Sequence, residues 1–135
     1  MSDNKIDLDF MEIKNRLKSR NLPQVDLVVG IADGGKVPAS LVAWKLELPL
    51  LMLKINYRDE NNQPRYETPR MLKNIKIPET VKKILLVDDV GVSGKTLTLA
   101  KKQLKTLEIT TLVMKGRGDI VLFPEIPTCV NWPWN

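Results

Sequence analysis

Apolar residues along this chain fall into two kinds of run. Val25 to Ile31 (VDLVVGI), Leu50 to Ile55 (LLMLKI), Ile84 to Val87 (ILLV) and Ile109 to Met114 (ITTLVM) are short and dense, the pattern of strands in a buried sheet. Elsewhere the spacing is helical. Phe10, Ile13 and Leu17 share one face, with Lys14, Arg16 and Lys18 opposite, and this amphipathic helix ends near Asn21 and Pro23. Pro38 opens a mostly apolar helix that runs through Leu46. From Lys95, the residues Leu97, Ala100, Leu104 and Leu107 recur as one helical stripe. Ile120 to Phe123 reads as a short edge strand. Strand alternating with helix predicts an α/β domain: a Rossmann-like parallel sheet with helices on both faces. Tyr57 to Ile77 breaks the alternation. It is polar, carries Pro64 and Pro69, and shows no clear period, which suggests a functional lid or a disordered segment.

Candidate chemistry concentrates where strands give way to helices. In ILLVDDVGVSGKTL, Ile84 to Leu97, a buried strand leads to Asp88 and Asp89, then to Gly91 and Gly94, then to a helix. Ligands of open α/β sheets collect at the carboxyl ends of strands, and a helix start offers free backbone amides to an anion. Ser93 and Thr96 add hydroxyl donors. Gly94-Lys95-Thr96 ends like a nucleoside-triphosphate P-loop, but that motif needs glycine five residues before Gly94, and Asp89 stands there. The P-loop reading fails. A second loop of this type, Ala32-Asp33-Gly34-Gly35-Lys36, joins the first core strand to its helix. Its glycine pair allows backbone amides to approach a ligand, although a plain strand-to-helix turn would also fit.

Composition narrows these choices. A chain of 135 residues suits one domain, 1–135, and 43% hydrophobic with 27% charged residues is ordinary for a soluble protein. No apolar run approaches ~20 residues, and the start MSDNKIDLDF lacks a signal-peptide pattern, so no membrane partner and a cytoplasmic location are expected. Cys129 is the sole cysteine, which rules out an internal disulfide. There is no histidine, so His-based general bases, Ser-His triads and His metal sites are excluded. Carboxylates and backbone must carry any chemistry. The net charge of +5 fits an anionic ligand or nucleic acid without choosing between them.

Hydrophobic strand, two acids, three residues, Ser or Thr, Gly, any residue, Thr resembles the 5-phosphoribosyl 1-pyrophosphate (PRPP) signature of type I phosphoribosyltransferases, and within them the small 6-oxopurine enzymes. The resemblance runs from the first strand to the tail. It implies the type I phosphoribosyltransferase fold, with a flexible hood loop and a short carboxy-terminal base-binding tail. It further implies that Asp88 and Asp89 hold the ribose hydroxyls and a Mg²⁺ ion, and that Val92, Ser93, Gly94, Lys95 and Thr96 cradle the 5-phosphate. By the same resemblance Asp33, Gly34, Gly35 and Lys36 form the pyrophosphate loop, with a cis peptide at Ala32–Asp33. Arg58, Arg65 and Arg70 become the flexible-loop cations that meet pyrophosphate, though a solvated hairpin would read the same way. Lys115, after its strand, matches the contact to the exocyclic oxygen of the base. Trp134, in a Pro-Trp context, matches the aromatic that stacks on the ring, the alternative being that both tail tryptophans pack a dimer interface or the core. PRPP and a nucleobase are the implied substrates, in a homo-dimer or larger homo-oligomer. Two residues depart from the pattern. Asp33 stands where purine-salvage relatives commonly carry a base, with Lys36 the nearest compensating cation. Val92 replaces the aspartate that manages the purine ring proton, and with it general-base help of roughly 10²–10⁴-fold. Transfer to a 6-oxopurine is the first expectation. The second is a PRPP- or nucleotide-sensing regulator with nucleic acid as its target.

Overall fold

A computed structural model of the chain describes residues 6–56, 70–71, 77–91, 98, 100–102, 104 and 107–134. Chain order within them is β1 (Ile6–Asp7), α1 (Phe10–Ser19), β2 (Leu27–Ala32), α2 (Lys36–Leu46), β3 (Leu50–Asn56), β4 (Arg70–Met71), β5 (Lys83–Gly91), β6 (Glu108–Gly116), β7 (Ile120–Val121) and β8 (Val130–Asn131). The main sheet has the order β4-β3-β2-β5-β6-β7. All its pairs are parallel except β3–β4 at the edge. The expected parallel α/β sheet is therefore present.

From β2 the chain moves one way to β3, and later it returns to the other side of β2 to lay down β5 and then β6. Because such crossovers are right-handed, reversing direction puts the connecting helices on opposite faces. The two cores follow this rule. On one face Val28, Leu85, Val87, Leu112 and Met114 meet Ile13 and Leu17 of α1 and Ala39, Val42 and Ala43 of α2. On the other, Val29, Ile31, Ile84, Leu86 and Val113 meet Ala100 and Leu104 of the segment between β5 and β6. Residues 100–102 of that segment are helical, and the Leu104 amide bonds the Ala100 carbonyl at 3.1 Å, as the stripe from Lys95 predicts.

Local signals fix the helix ends. Asp9 caps α1 by accepting from the Glu12 amide at 2.8 Å, a charge suited to the positive end of the helix dipole. After α2, Glu47 adopts φ 55° and ψ 45°, so its amide can reach the Ala43 and Trp44 carbonyls. Strand ends run longer than the apolar runs suggest. β5 continues past Val87 through Asp88, Asp89 and Val90 to Gly91, with Asp88 opposite Val113 and Val90 opposite Lys115. Ladder bonds from β6 hold this polar end in strand form, where hydrophobicity alone marks a stop.

The short pair β1–β8 ties the two ends of the chain together. Ile6 lies opposite Val130 and Asp7 opposite Asn131, and the Asn131 side-chain amide donates to the Asp7 carboxylate at 2.7 Å. Among the described residues no helix is long and apolar enough to cross a membrane.

Candidate functional site

β2 and β5 are neighbours, yet the chain leaves them toward opposite faces of the sheet. Their carboxyl ends form the switch point at which open α/β sheets leave a crevice. Both loops singled out by sequence begin there.

The peptide Ala32–Asp33 at the end of β2 is cis. The Gly35 amide then folds back to the Ile31 carbonyl at 2.7 Å, and the Lys36 amide to the Asp33 carbonyl at 3.0 Å. Glycine is required twice. A methyl group on Gly35 would lie 2.6 Å from the Ile31 carbonyl and 2.7 Å from that of Val87. One on Gly34 would lie 2.5 Å from Asp89 Oδ2 and 2.6 Å from Oδ1. Gly34 thus brings the loop backbone directly against a carboxylate of β5. Gly35 caps α2 without a side-chain hydrogen bond, so the first turn of that helix keeps its dipole facing the crevice.

Opposite this loop, Asp88 is only 9% exposed. Its Oδ1 accepts from the Asp89 amide at 2.8 Å, and Asp89 Oδ1 accepts from the Val90 amide at 2.7 Å. Burial and, after it, the charge of Asp89 push the Asp88 carboxyl up to about 8. Two adjacent carboxylates, one of them desolvated, form a site that favours a cation or hydroxyl donors. Among the described residues no group of three or more acidic, cysteine or histidine side chains gathers to hold a metal. The pair fits instead a hard divalent ion that keeps water and substrate oxygens as its other ligands, the habit of Mg²⁺.

Asp33 and Lys36 are exposed beside the loop glycines, so the loop residues and the acid pair come together at one crevice. Lys115 is half-buried at the end of β6, across from Val90. Arg70 contributes backbone to β4, paired with Asn56. Val92, Ser93, Gly94, Lys95 and Thr96 lie outside the described residues, as do Arg58, Arg65 and most of the stretch from Tyr57 to Ile77.

The tail has a more definite setting than its sequence suggests. Trp134 stacks on Trp132 with centroids 5.2 Å apart and planes 4° from parallel, and Phe10 leans on it at 6.4 Å. Trp132 is buried and reaches Phe123 at 6.5 Å, and the Arg16 guanidinium covers the Phe123 ring at 4.4 Å. Arg16 also donates to the Leu122 carbonyl at 2.6 Å and binds both oxygens of Glu125, which holds the Glu125 carboxyl down to about 2. Phe10 and Arg16 are thus the residues that sequence reasoning missed. The available signal was an aromatic and an arginine on a helix of a chain with only two phenylalanines, three tryptophans and two tyrosines to pair. The Trp134 indole nitrogen is buried without a hydrogen-bond partner among the described residues.

Comparison with known proteins bears on the family and the fold. A family model, the phosphoribosyl transferase domain, matches residues 10–120. Xanthine-guanine phosphoribosyltransferase of Idiomarina loihiensis is 24% identical over 127 residues, which span 88% of this chain and 78% of that protein. Transcriptional regulator GfcR of Methanocaldococcus jannaschii is 32% identical over 118 residues, 82% of this chain but 54% of the regulator. A purine phosphoribosyltransferase from Pyrococcus horikoshii superposes with a TM-score of 0.74 at 21% identity, over 97% of this chain and 94% of that one, a likeness of fold.

Proposed function

The chain belongs to the phosphoribosyl transferase domain family, and from that premise we propose that it transfers the 5-phosphoribosyl group of PRPP to a nucleobase, a 6-oxopurine, and releases pyrophosphate. The observation that carries the proposal is the meeting of Gly34 with the Asp89 carboxylate at the switch point of the sheet. It joins an amide-rich loop, suited to pyrophosphate, to an acid pair suited to vicinal hydroxyls.

In this reading Asp88 and Asp89 accept hydrogen bonds from the ribose hydroxyls and fix the sugar ring. The Gly34 side of the loop and the start of α2 face the pyrophosphate, whose departure leaves positive character on the sugar carbon, while the Gly35 amide holds the turn closed on the Ile31 carbonyl. The nearby carboxylates stabilise that character through space. A Mg²⁺ ion bound by this pair would supply charge neutralisation for the leaving pyrophosphate. Lys36 offsets the charge of Asp33 at the loop. Lys115 meets the exocyclic oxygen of the purine, and Trp134 presents its ring to the base. With no histidine in the chain, the rate comes mostly from positioning and charge stabilisation.

Val92 is consistent with that emphasis, since valine cannot take the ring proton. A second reading, a PRPP- or nucleotide-responsive regulator, is favoured by the same valine and by the 32% identity to a transcriptional regulator.

Turnover with PRPP, Mg²⁺ and hypoxanthine, guanine or xanthine, with pyrophosphate release measured, tests the choice. Val92→Asp should raise the rate with at least one base. PRPP binding without turnover in either protein, joined to salt-dependent nucleic-acid binding, would establish the regulator instead.

A further inference from the structure

α1 and α2 lie side by side over one sheet face, and their outer sides enclose a cavity of about 280 Å³. Lys14, Leu17, Lys18, Leu41, Trp44 and Lys45 line it. It is separate from the crevice described above. Trp44 lies eight residues along α2 from Lys36, a distance of ~12 Å at the helical rise.

Three features of the cavity point to one class of ligand. Its wall and floor are apolar: Leu17 is buried, Leu41 half-buried, and the Trp44 ring is 72% exposed, the largest exposure of any big apolar side chain among the described residues. A bare indole beside a hollow is a surface for a flat ring. The three lysines divide into two roles. Lys45 Nζ donates to the Leu17 carbonyl at 2.7 Å and closes the gap between the helices. Lys14 and Lys18, one helical turn apart, line the cavity along their aliphatic stems and form no ion pair among the described residues, so both positive charges are left uncompensated beside it. Finally, the volume is that of roughly nine waters, enough for a bicyclic ring with a short acidic arm and too small for a long acyl chain.

We propose that this cavity binds a small aryl carboxylate, its ring against Trp44 and Leu41 and its carboxylate between Lys14 and Lys18. A second copy of the chain is the weaker occupant, because a two-fold contact across this groove sets lysine against lysine. The proposal is independent of the transferase reading and uses none of its residues.

The test uses the full chain labelled with ¹⁵N, in which the three tryptophans give three indole N–H resonances and Trp44→Phe identifies that of Trp44. Three probes share a ring and differ in charge: indole-3-acetate, indole and tryptamine. Indole-3-acetate should shift the Trp44 resonance saturably, about tenfold more tightly than neutral indole, with tryptamine weakest. The double variant Lys14→Gln/Lys18→Gln should bring indole-3-acetate down to the affinity of indole. Leu41→Trp, which keeps both lysines and fills the cavity, should abolish the shift. Equal affinity for the three probes, an unmoved Trp44 resonance at millimolar probe, or binding that survives Leu41→Trp would each overturn the site. So would a Trp44 resonance that moves with protein concentration alone, since a second copy would then cover the ring.

Discussion

Asp88 should make the protein less stable as pH rises, and Asp88→Asn should remove that dependence. The carboxyl is raised from 3.8 to about 8, chiefly by burial and then by Asp89. The folded state therefore keeps the proton over a range in which the unfolded chain has released it. With more protons bound in the folded state, stability falls as pH rises through that window. The interval from 3.8 to about 8 sets a ceiling of roughly 5–6 kcal/mol. Asp88 retains 9% of its exposure and the unfolded chain is not free of its own charge interactions, so about half of that ceiling, ~2–3 kcal/mol, is expected between pH 5 and pH 9. For a chain of this length that is roughly 6–12 °C in Tm. Asn keeps the acceptor oxygen for the Asp89 amide and carries no charge. Thermal unfolding of both proteins from pH 5 to 9 is the assay: the native curve should fall while the Asn curve stays nearly flat, and the two should cross. Added Mg²⁺ should recover the native protein at pH 8 and leave the variant unmoved. Parallel curves for the two proteins would refute the reasoning.

Gly34→Ala should lower PRPP affinity about tenfold or more by calorimetry with the fold kept, because the methyl would sit 2.5 Å from Asp89 Oδ2 and the loop or the carboxylate must yield; unchanged affinity would separate this loop from the ligand. Leu85→Ala, at a residue with 0% exposure in the centre of the sheet, should cost ~2–5 kcal/mol in urea unfolding. Glu47→Gly should stabilise by ~0.5–1 kcal/mol, since Glu47 occupies φ 55°, a conformation glycine adopts without steric cost; a loss of stability there would mean that the Glu47 side chain makes a contribution larger than the backbone relief.

The interior of this fold is legible in the sequence because its signals are local. Four dense apolar runs match β2, β3, β5 and β6, and each helix start carries its own mark, Asp9 before α1 and the glycine pair before α2. The acid pair and the Gly34-Gly35 loop stand out in the sequence for the same reason, while residues 92–96 of the second loop lie outside the described residues. The juxtaposition of the pair and the Gly34-Gly35 loop does not stand out. Gly34 and Asp89 are far apart in the chain, and only the reversal of strand order beside β2 brings them together. The tail was the least legible part. Trp132 and Trp134 announce that something must cover them, but the cover comes from Phe10 and from β1 at the other end of the chain. Strand ends were misjudged where ladder bonds, not hydrophobicity, decide. Asp88 and Asp89 belong to β5 because β6 holds Asp88 opposite Val113 and Val90 opposite Lys115, with Asp89 between them.

Two polar or charged residues are buried among the described residues, Thr111 and Asp88, and the contrast between them carries the functional argument. Thr111 is fully matched. Its hydroxyl accepts from the Asp119 amide at 2.8 Å, and Asp119 Oδ2 takes the Thr111 amide at 2.9 Å, a reciprocal lock that turns the chain after β6. Removing it would loosen a loop, and nothing more is needed to explain it. Asp88 has no comparable partner. It receives the amide of the next residue and otherwise faces another carboxylate, an arrangement that lowers stability at neutral pH for no structural return. Arg16 and Glu125 show that the chain pairs opposite charges where structure alone is at stake. A buried acid set against a second acid, at the one place where the sheet reverses, is a local cost that makes sense when the partner arrives from solution. In the reading we propose, hydroxyls and a divalent cation are those partners, and the loop at Gly34, set directly against Asp89, is where the accompanying anion would lie.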